Sequence, residues 1–575
     1  MYLKEKRTHT CGELTEADVG KRVTLMGWID SLRDHGAILF LNLRDRYGIT
    51  QIVIKDEKLK AKARRFGHES VISAKGEVVR RPKGMENPKL STGKIDVVAT
   101  EINLISKSKV PPFVITDEVK AKDELRLKYR YLDLRRRPMQ EAIIFRSQAT
   151  QVVRNYLNSM GFLEIETPIL AKSTPEGARD FLVPSRIHPC KFYALAQSPQ
   201  LYKQVLMIAG FDRYYQLAKC FRDEDQRGDR QPEHTQIDIE MSFVTEEDIF
   251  EVVEGLMKEL FKKTLDVEIK TPFKQITYKE AMENYGTDKP DTRFGLLIKD
   301  VTKIAKRGEY RIFNDAPMIK SLVWNGILTR KELDEVEKIV KSYGGKGISW
   351  MKFENGNLGG GISKFFNQNV LYELREKLGL ASPSTILFTA GGWKDSLLAL
   401  GGLRAHFIER LTPSCKFEFV WVRDFPLFEF SEEDQRLVPS HHIFTMPKEP
   451  ASLDNDPSLA IARHYDLVLN GTELGSGSIR IHTRELQEKV MKIIGLSDKE
   501  MEEQFGFLLD ALEYGAPPHG GIALGLERLL AVMKGLKNIQ EVIPFPKTLT
   551  GTGLLEDIPS EVDGDRLKEL HIKPL

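Results

Sequence analysis

The first 105 residues carry five β-rich runs, KRVTLMGWID, AILFLNLRD, ITQIVIK, SVISAKGEVVR and KIDVVATEINLI, separated by turn residues. One short helical stretch, EKLKAKARRFG, falls between the third and fourth runs. Alternating strands need cover for their apolar faces, and five short ones supply it by closing on one another. The pattern predicts a five-stranded oligonucleotide-binding (OB-fold) β-barrel over residues 1–105. A small β-barrel without that ligand would show the same runs.

At 575 residues the chain exceeds one core, so the barrel is one domain among several. Residues 106–135 read as a hinge or linker, with Pro111 and Pro112 ahead of the charged run LRLKYRYLDLRRR. An amphipathic helix follows, with Phe145, Ala149, Val152, Val153, Tyr156, Leu157 and Met160 on one face and Gly161 as its stop. FLEIETPIL reads as a strand ending at Pro168. Strands then alternate with helices without the βαβ rhythm of a parallel sheet. YYQLAKCFRDED and HTQIDIEMSFV form an antiparallel pair around a charged loop. From GTDKPDTRFG to about residue 412 the texture changes, and FEFVWVRDFPLFEF then resumes long apolar strands. GGGISK, within that stretch, lacks the spacing of a phosphate loop, so its glycines read as turns. The expected architecture is α+β multidomain: barrel 1–105, linker 106–135, a second domain at 136–285 and 413–558, an inserted α+β domain at 286–412, and a tail at 559–575.

Hydrophobic residues at 41% and charged residues at 29% describe a soluble globular chain. No apolar run approaches the roughly 20 residues of a membrane span, and MYLKEKRTHTCGEL lacks the apolar centre of a secretory signal. Cys11, Cys190, Cys220 and Cys415 form no CxxC pair, which speaks against structural zinc or a disulfide framework and suits a reducing cytoplasm. With a net charge of only +2, any nucleic-acid surface must be local.

FRDEDQRGDRQPEHTQIDIE, residues 221–240, crowds opposed charge into a loop and then keeps Asp238 and Glu240 on one strand face. A solvated hairpin tolerates that composition. Two later stretches argue for more. In YDLVLNGTELGSGSIRIH, Asp466, Glu473 and Arg480 are spaced by seven; GAPPHGGIALGLERLL is a glycine-rich strand entering a helix with Arg528 in its first turn. Following the strand that ends in Pro168, these match in order the three signature motifs of class II aminoacyl-tRNA synthetases. STPEGARDFLVPSR, ALAQSPQLYKQ, KCFRDED, RQPEHTQIDIEMSF, HHIFT and GSIRIH resemble blocks of the bacterial aspartyl-tRNA synthetases. The resemblance runs from residue 1 to about 560, and 286–412 is similar to that family's GAD domain.

The resemblance implies an ATP-dependent cytoplasmic homodimer that makes aspartyl-adenylate from L-aspartate and transfers aspartate to the 3′ end of tRNA(Asp). Carboxylate attack on the α-phosphate of ATP needs cations on the phosphates and an oriented site. Arg222 and Arg528 suit that need, since guanidinium forks match phosphate and carboxylate alike. Glu473 and Asp466 are hard oxygen ligands for Mg²⁺. Asp223, Glu224, Gln231, Gly525, Leu526 and Glu527 complete the implied ATP site. Lys203 and Arg480 would grip the aspartate side chain, with Glu176, Gln200 and Asp238 facing its ammonium and Ser198 assisting. His441 would close as a lid, with His442 structural. On the barrel Phe40 would stack an anticodon base, and Arg33, Gln51 and Asp96 would read others. His35 in SLRDHGAILF and Gly84 in RRPKGMENP resemble the non-discriminating subtype, which also aspartylates tRNA(Asn) and implies a partner tRNA-dependent amidotransferase. Three departures from the family pattern, Asp96 for glutamate, Ser476 in a glycine run and Glu527 for aspartate, remove no charge the chemistry needs. The competing readings are a strictly tRNA(Asp)-specific enzyme, an asparagine enzyme, which would lack Lys203, and an inactive RNA-binding paralogue, which would lack a motif arginine or carboxylate.

Overall fold

The computed structural model describes residues 5–174 and 178–573. The chain divides into two compact units, Met1–Ile144 with Pro544–Thr548 and Thr552–Pro559, and the remainder. In the first, β1 (Arg22–Asp34), β2 (Leu39–Arg44), β3 (Ile49–Ile54), α1 (Glu57–Ala63), β4 (Val71–Arg80) and β5 (Ile95–Ser106) follow the expected order. The strands close as a barrel in the order β1-β2-β3-β5-β4. Every second residue points inward, and Leu25, Ile29, Leu41, Leu43, Ile52, Ile72 and Val97 fill the interior. Asp56 caps α1 by accepting the Leu59 amide.

Part of the segment expected as a linker is folded. Short helices Asp123–Lys128 and Arg130–Asp133 gather round Asp133, whose fully buried carboxylate accepts from Arg126, Arg130 and Arg136. Burial opposes its charge, but the guanidiniums hold its pKa below the ordinary value.

Helix α2 (Arg137–Ser159) buries Phe145, Ala149, Val153 and Leu157, while Val152 and Tyr156 are half-buried and Met160, past the helix end, is exposed. Of FLEIETPIL, only β6 (Leu163–Glu164) joins the large sheet. Thr167 is tied to the Gln216 side chain rather than to a ladder, and Leu170–Ala171 pairs in a separate three-stranded sheet. A proline at 168 removes the donor that continuing β6 would need.

After α3 (Gln200–Ile208) come β7 (Arg213–Phe221), β8 (Glu233–Ser242) and β9 (Lys274–Thr277). Strands β10 (Lys299–Asp300), β11 (Met318–Asn325), β12 (Ser349–Glu354), β13 (Asn357–Gly359) and β14 (Ser384–Gly391) make their own antiparallel sheet, ordered β10-β11-β14-β12-β13. Its two faces carry separate cores, one of them against α4 (Trp393–Ile408). The chain then returns through β15 (Phe419–Arg423), β16 (His464–Leu469), β17 (Thr472–Ile479), β18 (His519–Gly525) and α5 (Leu526–Lys534). The large sheet runs β9-β15-β16-β17-β18-β8-β7-β6, antiparallel except for its outermost pairs. No helix among the described residues is long and apolar enough to cross a membrane.

Candidate active site

The central strands of that sheet floor a cavity of about 590 Å³. Strand β8 places His234, Gln236, Asp238 and Glu240 on one face by its period of two. The neighbouring strand must come close to this row of polar groups. A Cβ at Gly521 would sit 2.2 Å from Glu240 Oε2 and 2.0 Å from the Ile239 carbonyl, so only glycine fits.

At one end, two cations meet two carboxylates out of water. Lys203, in the first turn of α3, donates from Nζ to Asp238 Oδ1 at 2.6 Å and lies 3.2 Å from Glu240 Oε2. Arg480, one residue beyond β17, donates from Nε to Glu240 Oε1 at 2.9 Å and from a terminal nitrogen to Oε2 at 3.2 Å. All four side chains are at most 2% exposed. Burial works against the Glu240 charge, yet Arg480 and Lys203 hold its pKa at about 2. For Asp238 burial wins, and its pKa is raised. Asp238 Oδ2 and Gln200 Nε2 are buried without hydrogen-bond partners, and both residues line the cavity together with Ser198. His442 accepts from Arg480 at 2.6 Å, and burial with that guanidinium keeps its imidazole neutral. The histidine expected to be structural thus anchors Arg480.

At the other end sit groups whose chemistry suits phosphate. Arg222 follows β7 directly; its amide donates to the Pro232 carbonyl across the loop, and its Nε is buried without a partner. His234 beside it is held neutral, at about 4, by burial and by Arg222. Arg528, third in α5, donates to the Glu473 carbonyl at 2.9 Å and lies 3.4 Å from Asp229. Glu224 pairs with Arg230 at 2.6 Å. Gln231 and Gly525 also line the cavity. Glu527 accepts from Arg146 at 2.7 Å and from the Thr235 amide at 3.0 Å, tying the start of α5 to β8.

Between the two ends lie Asp466 on β16 and Glu473 on β17. Burial and then the like charge of Glu473 raise the Asp466 pKa to about 7. Burial also opposes the Glu473 charge, but Lys289, 2.8 Å away, and Arg528 hold its pKa low. The hard carboxylate oxygens of Glu473 and Asp466 suit a divalent cation. No group of three His, Cys, Asp or Glu side chains forms a metal cluster among the described residues. Mg²⁺ would therefore need oxygens from water and phosphate, which suits its chemistry. His464 contacts both Asp466 and Ser476 at 3.0 Å, so the serine departing from the glycine run belongs to this network. His441 stacks on His464, ring centroids 3.6 Å apart, and burial holds both neutral.

Three of the expected residues do not line the cavity. Leu526 is in the core, Asp223 bonds its amide to the Arg179 carbonyl, and Asp466 is buried against His464. Glu176 lies outside the described residues. Glu240, His442, His464 and Lys289 were not among the expected site residues. Glu240 was legible, being two positions from Asp238 on one strand. Lys289 was not, because it sits in a turn-rich stretch with no local signal.

On the barrel, Arg33 donates to Gln51 at 2.8 Å, Gln51 to Asp96 at 3.0 Å, and Arg81 to Asp96 at 2.8 Å. The four form one polar chain. Phe40 faces Arg33 across β1 and β2 and meets His35 edge-on at 5.7 Å. Gly36 and Gly84 both adopt positive φ, +71° and +86°. The buried Lys60 ammonium donates to the carbonyls of Gly36 and Ala37, pinning the loop that carries His35.

Residues 122–549 match the family described as "tRNA synthetases class II (D, K and N)", and residues 23–105 match the OB-fold nucleic acid binding domain. The chain is 50% identical to the Aspartate–tRNA(Asp/Asn) ligase of Caldanaerobacter subterraneus subsp. tengcongensis, over 99% of this chain and 98% of the relative. It is 49% identical to the ligase of the same name from Aquifex aeolicus, with the same coverage. In fold it is similar to asparaginyl-tRNA synthetase from Pyrococcus horikoshii complexed with asparaginyl-adenylate: TM-score 0.60, 21% identity, covering 95% and 99% of the two chains.

Proposed function

Because the chain belongs to the class II tRNA synthetases of the D, K and N group, we propose that it joins L-aspartate to ATP and passes the aspartyl group to both tRNA(Asp) and tRNA(Asn). The observation that carries this reading is the division of one cavity between two buried cations, Lys203 and Arg480, and a pair of phosphate-suited arginines, Arg222 and Arg528. An aspartate α-carboxylate oxygen attacks the α-phosphorus as the bond to the bridging oxygen breaks and pyrophosphate leaves. Arg222 neutralises charge on the reacting phosphoryl group, and Arg528 holds the far end of the triphosphate. Glu224, Gln231, Gly525 and Glu527 frame the nucleotide. Asp466 and Glu473 would hold Mg²⁺, which screens the phosphate charge. A ribose hydroxyl at the tRNA 3′ end then attacks the acyl carbon, and AMP departs.

Lys203 and Arg480 take the substrate side-chain carboxylate, while Asp238 and Gln200 take its ammonium, aided by Ser198 and Glu176. An asparagine amide would leave two buried cations poorly paired, a mismatch worth several powers of ten. His441, neutral and stacked, closes over the substrate. Phe40, Arg33, Gln51 and Asp96 read the anticodon. His35 beside Phe40 and the open loop at Gly84 relax the reading of its third letter, in keeping with relatives named for both tRNAs. The product on tRNA(Asn) goes to an amidotransferase. Exposed Leu163, Ile169 and Leu170 around motif 1 support a homodimer, and tRNA and ATP as substrates support a cytoplasmic enzyme. ATP–pyrophosphate exchange tests the core of this reading: aspartate should drive it and asparagine should not.

A further inference from the structure

The segment Gly286–Ile298 leads from the large sheet into the inserted sheet, and nothing in the mechanism above uses it. Yet it delivers Lys289 to the cavity wall, with Nζ 2.8 Å from Glu473 Oε2. Arg404, buried on α4 of the insert, donates to the backbone carbonyls of Asp291, Phe294 and Leu296 at 2.8, 3.1 and 2.6 Å. Three carbonyls on one guanidinium fix the backbone just beyond the lysine. Gly286 and Gly401 also touch backbone to backbone: a Cβ on Gly401 would lie 2.1 Å from the Gly286 carbonyl. On the other side, Asp291 packs against Gly471 in the turn between β16 and β17, the strands that carry Asp466 and Glu473. The helix of the insert is thus joined by a short, well-held path to a carboxylate of the metal pair.

We propose that Lys289 is a positioning residue for the nucleotide's metal: its ammonium holds the Glu473 carboxylate in place and competes with the divalent cation for it, and the inserted domain sets that ammonium's position through Arg404. An ammonium and a divalent cation cannot both take the same carboxylate oxygen at close range. A divalent cation on Oε2 would displace the lysine, and one on Oε1 would still be repelled by the ammonium's charge, so removing the lysine should make the metal bind more readily. Because the pair is partly open to solvent, with the lysine side chain 43% exposed, the effect is modest.

The proposal rests on the reading of this cavity as a Mg²⁺–ATP site, and the experiment separates the two. Mn²⁺ binding to the full-length protein without nucleotide is followed by electron paramagnetic resonance. The Mg²⁺ concentration for half-maximal binding of a non-hydrolysable ATP analogue is measured by calorimetry. Lys289→Gln should tighten Mn²⁺ and lower the Mg²⁺ midpoint, each by about fivefold, with an unchanged melting temperature. Lys289→Arg should restore wild-type values. Arg404→Lys, which keeps the charge but cannot hold three carbonyls, should shift the Mg²⁺ midpoint in the same direction as Lys289→Gln. A Mg²⁺ midpoint that is unchanged or raised in Lys289→Gln overturns the proposal, even where Mn²⁺ binding is too weak to compare. A shift in Lys289→Gln with none in Arg404→Lys overturns the role of the insert. Failure of the wild type to bind the analogue with Mg²⁺ at all overturns instead the reading of the cavity.

Discussion

Lys203→Ala removes one of two cations from a buried cluster that holds Asp238 and Glu240. Truncating one partner of a buried pair costs about 3–5 kcal/mol when the remaining charge cannot be neutralised. Here part of that is relieved, because burial already raises the Asp238 pKa and a proton can replace the lysine. The loss for substrate is more direct. An aspartate side chain would give up one charge-assisted hydrogen bond, about 1.5–3 kcal/mol, and would face Glu240 with only Arg480 to balance both. At 1.4 kcal/mol per tenfold, the KM for aspartate should rise by about 10- to 150-fold. Arg222 and Arg528 make no contact with this lysine, so the KM for ATP should change by less than about threefold. Aspartate-dependent ATP–pyrophosphate exchange, varied in each substrate, gives both numbers, and a melting curve reports the folding cost separately. Equal losses for aspartate and ATP, or a folded variant whose aspartate KM rises less than about fivefold, would show that Lys203 is structural.

Arg222→Ala should abolish adenylate formation in a protein that still melts normally and binds tRNA, since a cation on the reacting phosphate contributes on the order of 3 kcal/mol; pyrophosphate exchange at the wild-type rate would refute its assignment. His35→Leu removes the imidazole at the edge of Phe40 and should lower charging of tRNA(Asn) about tenfold more than that of tRNA(Asp), measured on purified transcripts; parallel losses would leave His35 a plain turn residue. Glu240 has a folded pKa depressed from 4.5 to about 2, so its contribution is present above about pH 4.5 and is lost as pH falls towards 2. The melting-temperature gap between wild type and Glu240→Gln should therefore shrink across that window, and a constant gap would contradict the ion-pair account.

Local pattern carried the barrel because its strands are regular and its turns distinct. The motif strands were legible for the same reason: a period of two put Asp238 and Glu240 on one face. FLEIETPIL misled because apolar content suggested a strand where Pro168 and the Thr167–Gln216 bonds hold the chain out of the sheet. The linker misled in the opposite sense, since a charge-rich run can fold when three arginines share one buried aspartate. Lys289 stayed hidden because its contact with Glu473 joins distant parts of the chain, whereas His464, two positions from Asp466 on one strand, carried the same period-of-two signal as Glu240.

The most direct test of the whole account is aminoacylation with labelled aspartate on purified tRNA(Asp) and tRNA(Asn) transcripts. The account predicts that both are aspartylated, with kcat/KM values within about tenfold of each other, or about 1.4 kcal/mol. Charging of tRNA(Asn) more than about a thousandfold weaker, a gap of roughly 4 kcal/mol, would contradict the relaxed anticodon reading; no aspartate on either tRNA would contradict the enzyme assignment itself.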